Sequence, residues 1–113
     1  MKTALVIGSS GLIGSHLLNL LLESSHYDKV VTFVKRDTGI KHPKLTQHII
    51  DFDKPETYKE LVVGDDFFCT IGTTIKKAGS KKAFRKVDFE YPRQFAAFAL
   101  QNRVKQFLII SSL

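Results

Sequence analysis

Thr3-Ala4-Leu5-Val6-Ile7-Gly8-Ser9-Ser10-Gly11-Leu12-Ile13-Gly14 is the stretch whose reading decides the fold. Thr3 to Ile7 is a short apolar run of strand formers that enters a glycine turn without a spacer. The turn opens directly into Leu12 to Glu23, apolar and long enough for a helix lying on a sheet. Gly8, Gly11 and Gly14 follow G-x-x-G-x-x-G, one residue longer between the first pair than the G-x-G-x-x-G spacing of nucleotide folds. One glycine permits the tight turn, one lets the backbone approach a pyrophosphate, and one lets the helix pack close to the strand. The N–H groups of the first helical turn and the positive end of its dipole then face an anion. A purely structural turn would use glycine as well, but the strand before it and the helix after it favour a dinucleotide phosphate.

Working outward, Ser24 to Asp28 is a polar break and Val30 to Val34 a β-branched second strand. Its tip carries Lys35 and Arg36. Cations there meet a 2′-phosphate, and the Arg36 guanidinium can grip it at two points, so NADP(H) is favoured over NAD(H). Asp37 is the counter-signal: one residue of register restores a carboxylate for the ribose hydroxyls. Leu45 to Ile50 is the third strand, ending in Asp51, Phe52 and Asp53. Asp51 can accept from an adenine amino group beside the Phe52 wall, or Asp51 or Asp53 can cap a short helix over Glu56 to Val62. Asp66 to Ile71 is the fourth strand, and Gly72 and Thr73 at its end suit close backbone approach to the cofactor. Asp88 starts a last helix running to Asn102, with Tyr91, Phe95, Phe98 and Ala99 on its core side. Phe107 to Ile110 is the fifth strand, closed by Ser111 and Ser112.

This alternation predicts an α/β, Rossmann-like, doubly wound parallel sheet of order 3-2-1-4-5, truncated after the fifth strand, with the ligand across the ends of strands one and four. The edge at the fifth strand predicts self-association, a homo-oligomer, or disorder near Gln106 to Leu113. With 113 residues and 43% hydrophobic content, the chain is read as one globular domain. The apolar run Leu17 to Leu22 is too short to span a bilayer and no secretory signal pattern opens the chain, so no membrane association and a cytoplasmic location are expected. The charge of +6 suits an anionic ligand. The basic run Lys76 to Lys86 reads as a solvated face or a phosphate contact, and nucleic acid is disfavoured for want of a recognised binding motif. Cys69, the single cysteine, reads as a core residue without a base to activate it. No metal site is expected.

With these residues in hand, the chain resembles the amino-terminal part of an atypical short-chain dehydrogenase/reductase, and within that superfamily the Tat-interacting-protein-like oxidoreductases. The marks are G-S-S-G-L-I-G-S-H-L-L from Gly8, C-T-I-G-T-T from Cys69 with K-K-A-G-S after it, F-R-K-V-D-F-E-Y from Phe84, and F-L-I-I-S-S from Phe107. The resemblance implies NADP(H) binding at Gly8, Ser10, Gly11, Leu12, Ile13, Arg36, Asp51 and the Gly72 to Thr73 loop, and Gly14, Lys35 and Phe52 join them on the bottom-up reading. It implies a catalytic serine at Ser111 or Ser112, and a Tyr-x-x-x-Lys pair that this sequence lacks. Tyr27, Tyr58 and Tyr91 are followed four residues on by Val31, Val62 and Phe95. Residues 1–113 are therefore expected to be the cofactor-binding, amino-terminal portion of a longer oxidoreductase acting on an unidentified small molecule, with little turnover of their own. The alternative is a non-catalytic NADP(H)-binding module that acts through a protein partner.

Overall fold

Strict alternation along the first strand sets the layers. In β1 (Thr3–Ile7), Leu5 and Ile7 point to one face of the sheet and Ala4 and Val6 to the other, and all four are fully buried. A strand buried on both faces belongs at the centre of a parallel sheet. A computed structural model of the chain describes residues 1–9, 11–70 and 90–110. It shows β1 flanked by β2 (Lys29–Val34) and β4 (Asp66–Cys69), with β3 (Leu45–Ile49) outside β2 and β5 (Gln106–Ile109) outside β4. All pairs are parallel and the order is β3-β2-β1-β4-β5, as the alternation of elements requires. The predicted second and fifth strands each begin one residue earlier than expected, and the third, fourth and fifth end one or two residues sooner.

Helix α1 (Leu12–Glu23) covers one face: Leu18, Leu21 and Leu22 pack on Ala4, Val6, Val30 and Tyr27. Helix α2 (Tyr91–Gln101) covers the other, where Phe95, Phe98 and Ala99 meet Leu5, Ile7, Val31, Phe33 and Phe67. Phe95 is the hub of this aromatic layer, its ring 5.3 Å from Phe33, 5.4 Å from Phe67 and 5.0 Å from Tyr58. Asp88, the expected cap of this helix, lies outside the described residues.

The helix expected over Glu56 to Val62 is replaced by two 3₁₀ turns, Pro55–Thr57 and Lys59–Leu61. Tyr58, at φ −125°, separates them. Its ring is wholly buried against Phe95 and its hydroxyl donates to the Phe52 carbonyl at 2.9 Å, so burying this one side chain breaks the helical path. Neither Asp51 nor Asp53 caps these turns, since the first is preceded by Lys54 with no side-chain cap.

The amino ends of the strands are pinned by Asp65 and Asp66. Asp65 accepts from the Thr3 N–H at 2.8 Å, which holds its carboxyl below the usual range. Buried Asp66 accepts from the Tyr27 hydroxyl at 2.6 Å and lies 3.5 Å from the Lys2 ammonium. With burial, that contact pushes the Tyr27 phenol well above its ordinary pKa, so it stays a donor. This polar belt stands at the end of the sheet away from the glycine turn.

Candidate functional site

At the carboxyl end of β1 the three glycines do different work. Gly8 has a φ of +82°, the left-handed region that favours glycine, and a Cβ there would stand 2.7 Å from the Thr70 hydroxyl oxygen. The Gly8 carbonyl accepts from the Gly11 N–H at 3.2 Å and lies against Gly14, where a Cβ would come within 1.9 Å of it. Gly14 is therefore required by helix-to-strand packing. Gly11 is different: the nearest atom to a Cβ built there is the Gly8 carbonyl oxygen at 3.5 Å, an ordinary contact. Among the described residues nothing requires a glycine at that position, and the space beside it is open to the close approach of a ligand.

Gly11 is also the amino cap of α1, and it has no side chain to satisfy the first-turn N–H groups. No acidic residue occupies that first turn, so the positive end of the helix has no anion from its own first turn. Leu12 is 79% exposed and Ile13 38% exposed at the same rim. Thr70 fastens the neighbouring strand to the turn, its N–H and its hydroxyl both donating to the Ile7 carbonyl, at 3.1 and 2.9 Å. The ends of β1 and β4 are thus held together where the strand order reverses, the position at which open parallel sheets bind ligands.

On the other side of β1, Lys35 and Arg36 follow β2 in exposed positions. Among the described residues Arg36 makes no hydrogen bond or ion pair. Asp37 is engaged: it accepts from the Gly39 N–H at 2.9 Å and from the Gln47 amide at 3.0 Å, which holds its carboxyl below the usual range. Lys35 lines a cleft of about 360 Å³ together with Ile50, Asp51, Phe52, Asp53 and Tyr91. Asp51 accepts from the Asp53 N–H at 3.0 Å, closing a tight turn that presents both carboxylates at the strand end. Phe52 is both wall and core, with its ring 5.2 Å from Tyr91 and 5.8 Å from Phe95.

The structure brings Gly8, Gly11, Leu12, Ile13 and Gly14 to one end of the sheet, and gathers Lys35, Asp51 and Phe52 in the cleft beside Arg36. Ser10, Gly72, Thr73, Ser111, Ser112 and the Lys76 to Lys86 run lie outside the described residues. Among the described residues no group of His, Cys, Asp or Glu is arranged to hold a metal ion. Cys69 is fully buried in the aromatic core. Two site residues were missed by sequence reasoning. Thr70 and Tyr91 stand inside the C-T-I-G-T-T and F-R-K-V-D-F-E-Y motifs, but apolar pattern alone assigns the first to the strand and the second to the core stripe.

An open parallel sheet of order 3-2-1-4-5 with an uncapped helix start at its switch point defines a Rossmann-like nucleotide-binding protein. The chain belongs to the NAD dependent epimerase/dehydratase family, whose pattern it matches over residues 4–113. The family places it in the short-chain dehydrogenase/reductase-like superfamily of nicotinamide dinucleotide proteins. Protein FMP52, mitochondrial, of Debaryomyces hansenii is 31% identical over 115 residues, covering 98% of this chain and 50% of that protein. Protein FMP52-2, mitochondrial, of Scheffersomyces stipitis is 33% identical, covering 96% and 49%. The chain spans about half the length of these relatives. Among solved structures, a mutant uronate dehydrogenase from Agrobacterium tumefaciens complexed with NAD superposes with a TM-score of 0.81 at 16% identity, over 99% of this chain and 41% of that one. The UDP-glucose 4-epimerase of Thermotoga maritima gives 0.78 at 16% identity, over 95% and 37%. At such identities the likeness speaks for the fold alone.

The relatives' names overturn the expected cytoplasmic location, since they read mitochondrial. The expectation rested on hydropathy and on the lack of a secretory pattern. Among the described residues no helix is long and apolar enough to cross a membrane, but a folded domain has the same surface physics in either compartment.

Proposed function

We propose that this chain is the NADP(H)-binding part of an oxidoreductase, and that the intact protein transfers hydride to or from a small-molecule substrate at a mitochondrial location, as its relatives' names suggest. The observation that carries the reading is the contrast at the glycine turn. Gly8 and Gly14 are filled by the protein's own backbone, while Gly11 and the first turn of α1 leave room and N–H donors for an anion. A pyrophosphate fits that cradle in charge and in hydrogen-bonding sense.

Arg36 supports the 2′-phosphate form, because its guanidinium has no partner among the described residues. Asp37, the residue that argues for NAD(H), accepts from the Gly39 N–H and the Gln47 amide on one oxygen, Oδ1, which ties it to its own loop. Asp51 and Phe52 would take the adenine side. When bound, the dinucleotide supplies hydride acceptance or donation; the residues described here bind and orient it. The resemblance makes Ser111 or Ser112 the catalytic serine. The Tat-interacting-protein-like branch is supported by the motifs beginning at Cys69 and Phe84. Residues 1–113 form the amino-terminal, cofactor-binding portion on this reading.

Arg36→Ala tests the cofactor form. Titration calorimetry should show NADPH affinity falling at least tenfold, the loss of a charge-assisted phosphate contact worth about 1.5–3 kcal/mol, with NADH affinity nearly unchanged. Equal, small effects on both would remove the NADP(H) assignment.

A further inference from the structure

Tyr91 joins two segments that are far apart in sequence. It is the first residue of α2, partly buried, and its hydroxyl donates to Asp53 Oδ1 at 3.0 Å. Its ring stands 5.2 Å from that of Phe52 at an angle of 49°, and both rings line the same cleft. Pro92, buried in the first turn of α2, fixes the backbone directly after it. Desolvation, reinforced by the Asp53 contact, pushes the Tyr91 phenol up to about 12. It therefore remains a neutral donor rather than an acid or base. The relation to the glycine turn is topological: the cleft follows β3, two strands away from the turn after β1, on the same carboxyl ends of the sheet.

The cleft is too small for a whole dinucleotide, standing at the lower end of the roughly 300–1,000 Å³ typical of ligand pockets. Its chemistry is that of one end of the molecule. Two aromatic walls suit a flat heterocycle, the Asp51 carboxylate suits an exocyclic amino donor, and the Lys35 ammonium suits a phosphate.

We infer that Tyr91 is a positioning residue for the adenine end of the cofactor: its ring completes the aromatic wall begun by Phe52, and its hydrogen bond to Asp53 holds the Asp51–Asp53 turn at the cleft. This rests on the dinucleotide reading above. It adds a residue from α2 to a site otherwise built from the ends of the strands.

The test compares NADPH with adenosine 2′,5′-bisphosphate, which carries only the adenine end, by calorimetry on the 113-residue chain. Tyr91→Ala should weaken both ligands by the same factor, about tenfold for one lost ring-to-base contact. Tyr91→Phe keeps the ring and should recover most of that loss for both. A general loosening of the fold would weaken both ligands only by the fraction of chain left unfolded, which the urea midpoint of the same variant gives, so a loss no larger than that fraction overturns the assignment. Should the alanine variant not fold by circular dichroism, Tyr91→Leu keeps apolar bulk without a flat face and should show the same tenfold loss. Unchanged affinity in either variant, or a loss confined to NADPH, overturns the assignment. If the parent chain binds neither ligand, the dinucleotide reading itself falls, an outcome distinct from a parent that binds and variants that bind equally well.

Discussion

Gly11 and Gly14 stand three positions apart and differ in what a side chain would meet there. A methyl group at Gly14 would overlap the Gly8 carbonyl, so Gly14→Ala must shift α1 off β1, at about 1–3 kcal/mol or more for overpacking of this kind. Gly11→Ala meets only an ordinary contact and should keep urea stability within about 1 kcal/mol of the parent, the usual scale of a changed amino cap. On the proposed reading it should nevertheless weaken NADPH binding, because the added methyl would stand where the turn is to approach the pyrophosphate. A Gly11→Ala protein that binds NADPH as tightly as the parent would show that the turn does not approach a phosphate. The glycine spacing was legible in the sequence; which of the glycines the packing requires was not, because that depends on the Gly8 carbonyl and Thr70, atoms that only the folded backbone brings near.

At the scale of elements, β2 contains an anomaly. Thr32 lies in a central strand with 1% of its surface exposed, and its hydroxyl has no hydrogen-bond partner among the described residues. Its neighbours in the pattern, Val30 and Val34, are apolar, and Thr32 is paired with Val6 of β1. A buried hydroxyl without a partner costs about 1–3 kcal/mol. Thr32→Val has nearly the same shape and should raise the unfolding free energy by about 1 kcal/mol, read as a higher urea midpoint at unchanged slope. A fall in the midpoint would mean that the hydroxyl is satisfied. The five strands and the first helix were readable because period-2 runs and glycine punctuation are local signals. The Glu56 to Val62 helix was misread because Tyr58 answers to a nonlocal demand: its ring must reach Phe95 and its hydroxyl the Phe52 carbonyl.

For the whole molecule, stability should depend on pH through two separate windows. His48 on the outer strand β3 packs on Phe33 with ring centroids 5.5 Å apart, and desolvation, with a smaller push from Lys29, lowers its pKa below the ordinary 6.5. The unfolded chain then takes up a proton more readily than the folded one. This contribution is fully present above about pH 6.5 and is lost as the pH falls through the lower folded value. Asp37 and Asp65, held below their ordinary value by the Gly39 and Thr3 N–H groups, add a second loss at more acidic pH, below about pH 4. Urea titrations between pH 7.5 and about pH 5 should show a decline in unfolding free energy that His48→Gln flattens. An equal decline in that variant would place the proton uptake elsewhere.

The sequence by itself determined the sheet. Apolar runs of alternating face, joined by one long apolar helix and a glycine turn, admit only a parallel α/β order, and a +6 chain with cations past the second strand points to a phosphate-bearing ligand. Tertiary structure decided the rest. Tyr91 carries the same helical periodicity as Phe95 and Phe98, so pattern alone assigns all three to the core. Only the packing of α2 against the end of β3 leaves Phe95 fully buried while carrying the Tyr91 hydroxyl to Asp53. Likewise only the folded loop brings the Gly39 and Gln47 donors to Asp37 Oδ1. Periodicity records which residues avoid water; it does not record which polar atoms meet, since that is settled by the three-dimensional path of segments distant along the chain.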